Sequence, residues 1–433
     1  MMAGTEHHLA IYLSDTHIAD LSLKDNKLHW HYSQDWQDNG YPLSPHLPLN
    51  NEIPSENVES YLRNLLPEGN GLDELLRSFH LSKYNTFGLI NALGQDIPGA
   101  LIVLASHDSI PREPIFRLIT DVELEERLQH RDLTSLIIWD AKPRLSSAGV
   151  QDKINVVVNP EGQLGFGEGS LCSTHILKFE KPPLSNLVLN EFITLHLAKR
   201  CGLDVPEVQL RRYGDYAALL VERFDRKFIS MSSIKRRPVI DGCQALNLPP
   251  EYKYERIFGG GRDVAHIRDG ASYPRLFEFA EHCLNPSVTK LKMLDWALFN
   301  ALIFNYDAHG KNISFFVDAK GITLAPFYDL VNIKIYPDYE NEMAMAFGDE
   351  FNAETIYAYQ LADFADSCRF NRMLVTRRLK SLATKLLEAL NNEELSWLKT
   401  TQEKKFIQLY SSLIRERCKF LLEEAELIKS VEL

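Results

Sequence analysis

Tyr306-Asp307-Ala308-His309-Gly310-Lys311-Asn312, followed after a short apolar segment by Phe327-Tyr328-Asp329-Leu330, is the stretch on which the reading of this chain turns. Phosphoryl transfer needs few parts: a carboxylate to hold the attacking hydroxyl, oxygen ligands for magnesium, and cations that meet the phosphates. Protein kinases commonly draw the carboxylate and one metal ligand from a single loop, as Asp and Asn five positions apart. A second metal-binding Asp follows a short hairpin. Asp307 and Asn312 have that separation, residues 313–317 and 322–324 read as a hairpin around Gly321, and Asp329 comes next. Taken singly these residues are ordinary, since an Asp in a polar loop is more often a turn former and an Asn before a strand a cap. Asp329 says more. Its neighbours are Tyr328 and Leu330, and a half-buried carboxylate needs a partner such as magnesium. The ordered trio makes Asp307 the candidate catalytic carboxylate and Asn312 with Asp329 the candidate metal ligands. Lys311 is placed to neutralise charge on the transferring group. His309 reads as ordering the loop through hydrogen bonds, because no second histidine stands nearby at a ligand spacing.

Upstream, the complementary parts occur in the expected order. Lys178 ends the strand-like run HILKF, and Glu191 lies on the first half of the next helix. A strand lysine held by a helix glutamate is how kinases aim an ammonium at the phosphates. The alternatives are a solvated edge lysine and an ordinary acidic residue near a helix start. LLVERFDR reads as the strand and connector of an adenine pocket. Its backbone around Glu222 and Phe224 would meet the base, and Asp225 would accept from a ribose hydroxyl; a buried strand with a solvated exit is the plainer alternative. Residues 146–153, SSAGVQDK, form the candidate phosphate-covering loop. Ser147, Ala148, Gly149 and Val150 offer backbone donors, and Gln151 and Lys153 complete the ATP-binding set. The loop lacks the GxxxxGK[ST] spacing of a Walker A motif. Gly165-Phe166-Gly167-Glu168-Gly169 is the more obvious glycine cluster, but Glu168 would repel phosphate, and the segment reads as a hairpin turn.

The rest of the chain supports an enzyme. Its 433 residues, 45% of them hydrophobic, suffice for more than one core, and the net charge of -12 argues against a chain that coats nucleic acid. Six scattered cysteines form no CxxC pair, so buried free thiols are expected rather than a zinc site. The N-terminus lacks signal-peptide character, no run is long and apolar enough to span a membrane, and a cytoplasmic location is expected. Residues 8–36 read as a β meander with a turn at Asp25-Asn26. Helices are expected at 56–66 and 72–81, and a strand at 99–104 after the Pro98-Gly99 turn. Residues 110–140 read as mainly helical and connective. From 287 onward the chain reads as mostly helical, with a helix opening at Pro286-Ser287 and others near 354–369, 374–390 and 401–430.

Taken in order, WHYSQDW with PLSPHLPL, RLSSAGVQDK, STHILK, NEF, LLVERFDR, DGCQALNLPP, YDAHGKN and FYDL resemble the HipA family of serine/threonine kinases, the toxins of type II toxin–antitoxin pairs. The resemblance covers nearly the whole chain. It implies an α+β, two-lobed protein-kinase-like fold with an added N-terminal β-rich subdomain and an all-helical C-terminal lobe. The expected divisions are 1–140, an N-terminal subdomain with connecting helices; 141–240, an ATP-binding lobe; and 241–433, a helical lobe carrying the catalytic and metal-binding loops. It further implies ATP and Mg2+ as cofactors, with Lys178 and His309 among the nucleotide-binding residues, Asp307 as catalytic base, Asn312 and Asp329 on magnesium, and Gln244 near the active cleft. Self-phosphorylation is expected at Ser146 or the adjacent Ser147. The expected partners are a small dimeric helix-turn-helix antitoxin of the HipB kind, operator DNA reached mainly through it, and glutamyl-tRNA synthetase as substrate. Two other readings stay open on the sequence: a small-molecule kinase using the same machinery, and a scaffold whose catalytic groups are dispensable.

Overall fold

The computed structural model describes residues 7–94, 96–105, 108, 110, 113–144, 151–180, 184–231, 233–339, 342–392 and 396–432. The chain forms two compact units. The first gathers the described residues of Met1–Lys181, Glu207–Pro250 and Phe315–Ile322; the second those of Pro182–Pro206, Glu251–Ser314 and Thr323–Leu433.

The first unit is built on two antiparallel sheets. The N-terminal one runs Lys27–Tyr32, Thr16–Lys24, His7–Leu13, Leu101–Ala105 in spatial order. Its first hairpins need residues that tolerate left-handed backbone at the tips, and Asp25 and Asn26 sit there at φ 49° and 61°. The helix Ser55–Arg63 covers the inner face, with Tyr61 packed edge-on to Trp30 at 6.1 Å. The second sheet has six strands, in the order Val208–Tyr213, Tyr216–Glu222, His175–Phe179, Lys153–Val158, Leu164–Gly169, Pro114–Leu118. Alternation sorts its side chains. Ile154, Val156, Leu177, Phe179, Ala218 and Leu220 join one core with Trp139, Phe166 and the helix residues Leu124 and Leu128.

Two readings are corrected here. GFGEG is not a turn but most of the strand Leu164–Gly169, because Phe166 is buried against Trp139 and the bend is made instead by residues 159–163. Residues 110–140 are not mainly helical: Pro114–Leu118 pairs with that strand in full register, ahead of the helix Asp121–Gln129.

The second unit is helix-rich. Pro286 opens the helix Pro286–Ile303 at a position where its missing N–H costs nothing. The helices Ala358–Ser367, Arg372–Asn391 and Thr401–Leu427 follow, the last started by a capping box of Thr400 and Glu403. Tyr273, Trp296, Phe327, Phe347 and Phe364 form its aromatic core, with Trp296 and Phe327 stacked at 5.8 Å. The expectation of an all-helical C-terminal lobe is corrected in one respect, since Glu342–Phe347 pairs with Glu350–Asn352 and two further strands, Ser314–Asp318 and Gly321–Leu324, lie within 241–433. Among the described residues no helix is long and apolar enough to cross a membrane. All six cysteines are buried, and none is in a disulfide.

His175, on the strand His175–Phe179, makes stability depend on pH. Burial, aided by nearby Arg211, pushes its pKa down to about 4 from 6.5. The unfolded chain therefore binds the proton that the folded chain refuses, and stability falls as pH drops from 6.5 towards about 4. Urea midpoints across that window are expected to decline less steeply for His175→Gln than for the parent chain.

Candidate active site

The loop 305–312 exists because a helix is stopped and its exit is tied down. Phe304 takes φ 56° at the end of Pro286–Ile303, and its N–H and that of Asn305 both return to the Asn300 carbonyl. Asn305 is 1% exposed. Its Oδ1 accepts the Asp307 N–H at 3.2 Å, and its Nδ2 donates to Asn300 Oδ1 at 3.0 Å and to the Asp329 carbonyl at 3.4 Å. One buried amide thus joins the backbone of both candidate carboxylates.

Asn312 closes the loop from the other side. Its Nδ2 donates to the Asp307 carbonyl at 2.7 Å, and its N–H donates to the His309 carbonyl at 2.9 Å. A carbonyl acceptor settles which end of the amide faces it, so Oδ1 is the atom left for another partner. An amide oxygen presented this way suits a hard cation such as magnesium. Asp329 is half-buried and holds φ 52°, a left-handed backbone that non-glycine residues adopt at a cost, often at active sites. The preceding Tyr328 fixes this turn by donating its hydroxyl to the Lys311 carbonyl at 2.7 Å and lying 2.7 Å from the Ser314 hydroxyl. No group of three or more His, Cys, Asp or Glu side chains among the described residues could hold a metal. Magnesium in phosphoryl-transfer sites needs only one or two carboxylates, because substrate phosphates and water supply the rest.

His309 is 5% exposed and caps the short turn Gly310–Asn312, its Nδ1 accepting the Lys311 N–H at 3.2 Å. That bond places the proton of the neutral ring on Nε2, which lies 3.8 Å from Asp307 Oδ1. Asp307 keeps 44% of its side chain exposed, and its Oδ1 accepts the Tyr254 hydroxyl at 2.6 Å. Lys311 is 4% exposed.

In the first unit, Lys178 lies directly across from Lys153 in the antiparallel ladder, and both are buried on the face away from the core around Trp139. Gln151 donates its amide to the Phe179 carbonyl at 2.9 Å, alongside this face. Ser146, Ser147, Ala148 and Gly149 lie outside the described residues. Glu222 is exposed, and its N–H is engaged by the Glu207 carbonyl at 2.9 Å, which removes that donor from any base. Phe224 packs edge-on to Phe316 at 5.8 Å. Gln244 is held internally, accepting from the Asp241 N–H and donating to the Tyr61 carbonyl.

Asp225 departs from its sequence reading. Its Oδ1 accepts from Arg223 Nε at 2.9 Å. Its Oδ2 accepts from Arg223 Nη2 at 2.8 Å, Arg226 Nη1 at 2.9 Å and the Gly99 N–H at 2.8 Å. Burial alone would raise its pKa, but the two guanidiniums hold the carboxyl well below the usual range. A 6%-exposed carboxylate with four protein donors is a structural clasp on the Pro98-Gly99 turn, where Gly99 has φ 75°, rather than an open ribose acceptor.

Sequence reasoning missed Asn305 and Tyr254. Asn305 had a faint signal in its place two residues before Asp307; Tyr254 had none, since it reaches Asp307 from 53 positions away.

Residues 9–104 match the HipA N-terminal domain, and residues 145–393 match the HipA-like C-terminal domain. The chain belongs to the HipA family. The serine/threonine-protein kinase toxin HipA of Shewanella oneidensis is 43% identical over 428 residues, covering 98% of each chain. A putative kinase of Sinorhizobium fredii, Y4mE, is 32% identical over 376 residues, covering 83% of this chain and 84% of the other. Among solved structures, HipA from Shewanella oneidensis MR-1, in complex with HipB and its operator DNA, matches with a TM-score of 0.90. It is 42% identical and covers 98% of this chain and 100% of the other. The α+β fold, with a β-rich first part and a helix-rich second, is thus the HipA fold.

Proposed function

We propose that this chain is an ATP-dependent serine/threonine protein kinase, the toxin of a toxin–antitoxin pair, and that Asp307 is its catalytic base. The observation that carries the chemistry is the paired restraint of the loop: Asn312 latched on the Asp307 carbonyl with its oxygen left over, and Asn305 joining that loop to Asp329. Magnesium-ATP, when bound, supplies the electrophilic phosphorus and the cation that screens its oxygens. Asn312 Oδ1 and the Asp329 carboxylate hold the cation. Lys178, with Lys153, holds phosphate oxygens. Lys311 offsets charge developing on the transferred group. Asp307 accepts the proton of the attacking hydroxyl. Glu222 and Phe224 border the base, and the segment with Ser147, Ala148 and Gly149 covers the phosphates.

The finer assignments rest on the family pattern. Ser146 is the self-phosphorylation site, and its phosphate would set strong negative charge where ATP phosphates belong. A HipB-like helix-turn-helix dimer is the antitoxin partner and carries most of the affinity for operator DNA, in keeping with the net charge of -12 here. Glutamyl-tRNA synthetase is the substrate whose phosphorylation arrests growth and yields persistence, and the cytoplasm is the site of action.

The test is phosphate incorporation from magnesium-ATP with glutamyl-tRNA synthetase and its tRNA present, read by intact mass and peptide mapping. Label on Ser146 and on the synthetase is expected. Label on the chain alone removes the synthetase from the proposal, and no label on either protein overturns the kinase reading. In the same assay Asn312→Ala is expected to raise the magnesium concentration for half-maximal rate about tenfold or more, a loss of about 1.4 kcal/mol in metal affinity. An unchanged magnesium requirement would remove Asn312 from the metal site.

A further inference from the structure

The segment 251–256 is bound to the loop 305–312 at two points, and the second point is on the reacting carboxylate. The Lys253 carbonyl accepts the Gly310 N–H at 2.9 Å, which sets the backbone of this segment against the loop. The next residue, Tyr254, donates its hydroxyl to Asp307 Oδ1 at 2.6 Å. Its ring stands edge-on to His309 at 5.1 Å and 89°, so its direction is set by a packed neighbour as well as by the bond. On the far side the segment is held just as firmly. The Glu255 N–H donates to the Ala344 carbonyl at 3.0 Å, and the Glu255 carboxylate, 2% exposed, accepts from Arg268 Nε at 2.6 Å and from the Ala346 N–H at 2.8 Å. Tyr254 is thus presented to Asp307 from a backbone anchored on both sides.

We propose that Tyr254 is a positioning residue for phosphoryl transfer: its hydroxyl holds Asp307 Oδ1 and so turns Oδ2 towards the acceptor hydroxyl. This rests on the reading of Asp307 as catalytic base. A carboxylate can serve the acceptor with only one oxygen at a time, and a fixed rotamer replaces a search among staggered alternatives. Tyr254 is 37% exposed, and its bond to Asp307 lies at the surface and not in the core. A hydrogen bond to a charged group, lost at the reacting carboxylate alone, corresponds to a fall in rate of roughly ten- to a hundredfold.

The test compares the parent chain, Tyr254→Phe, Asp307→Asn and the double variant in initial rates of phosphate transfer from magnesium-ATP, with glutamyl-tRNA synthetase and tRNA present and total label counted. Phenylalanine keeps the ring against His309 and removes only the donor. The expected result is a kcat lower by roughly ten- to a hundredfold. The KM for magnesium-ATP and the urea midpoint should be unchanged, and Tyr254→Phe should cause no further loss in the Asp307→Asn background. Unchanged or raised kcat in Tyr254→Phe overturns the proposal, the second by making the tyrosine an obstacle rather than a guide. Equal losses in both backgrounds, or a fall in urea midpoint that tracks the rate, also overturn it by showing a purely structural contact. A parent chain that transfers no phosphate at all is a failure of the kinase reading itself, and is seen before any variant is compared.

Discussion

Asp307→Ala is expected to reduce phosphate transfer by roughly 10²–10⁴-fold while leaving the fold in place. Two features separate these effects. The side chain is 44% exposed, so its removal opens no cavity, and the stability change should stay within about 0.5 kcal/mol. The backbone restraints on the loop use main-chain atoms of residue 307, which alanine retains: its N–H to Asn305 and its carbonyl to Asn312. Binding of magnesium-ATP should therefore survive, measured by titration calorimetry on the variant, while label from magnesium-ATP disappears from every protein in the mixture. Retention of a rate within about threefold of the parent chain would exclude Asp307 as general base, since that contribution is typically at least 10²-fold.

The largest expected loss of stability comes from Asp225→Ala. Arg223 and Arg226 are each 5% exposed, and Asp225 is the carboxylate both of them grip. Breaking a buried ion pair by deleting one partner typically costs about 3–5 kcal/mol, because the remaining charge stays desolvated without compensation. Asp96 lies 3.2 Å from Arg226 and 3.8 Å from Arg223, so it takes up part of the lost charge and favours the lower end of that range. The measurement is the urea midpoint of the first unfolding transition, with Asp225→Asn beside it to keep the shape and remove the charge. A ribose-binding role would give a different signature: a raised KM for ATP with the urea midpoint intact.

These two aspartates show where the sequence could be read and where it could not. Asp307 and Asn312 were legible because their partnership is local. Five residues of loop bring an Asn amide onto the carbonyl of the Asp, and the helix stop at Phe304 follows from the same short stretch. Asp329 was legible for a related reason, since the hairpin around Gly321 fixes how far along the chain the second carboxylate returns. HILKF and INVVV carry apolar residues on both faces of their strands, and only the pairing in the sheet sets Lys178 opposite Lys153 on the face away from the core around Trp139.

Asp225 reads in sequence like an exit residue after a strand, and nothing in LLVERFDR says that the Gly99 N–H will arrive from 126 positions away to complete a clasp. GFGEG reads as a turn because glycine permits one. It is a strand because Pro114–Leu118 comes alongside and Phe166 finds Trp139. Tyr254 carries no local mark at all. The sequence by itself determined the chemistry available, namely which carboxylates, amide and lysines occur, and the short-range turns that group them, because backbone stereochemistry and strand alternation act over a few residues. Only the tertiary structure decided that Asp225 is clasped by two arginines while Asp307 is held through one oxygen by a tyrosine hydroxyl. A side chain's solvation and its hydrogen-bond partners are set by atoms that fold against it from distant parts of the chain.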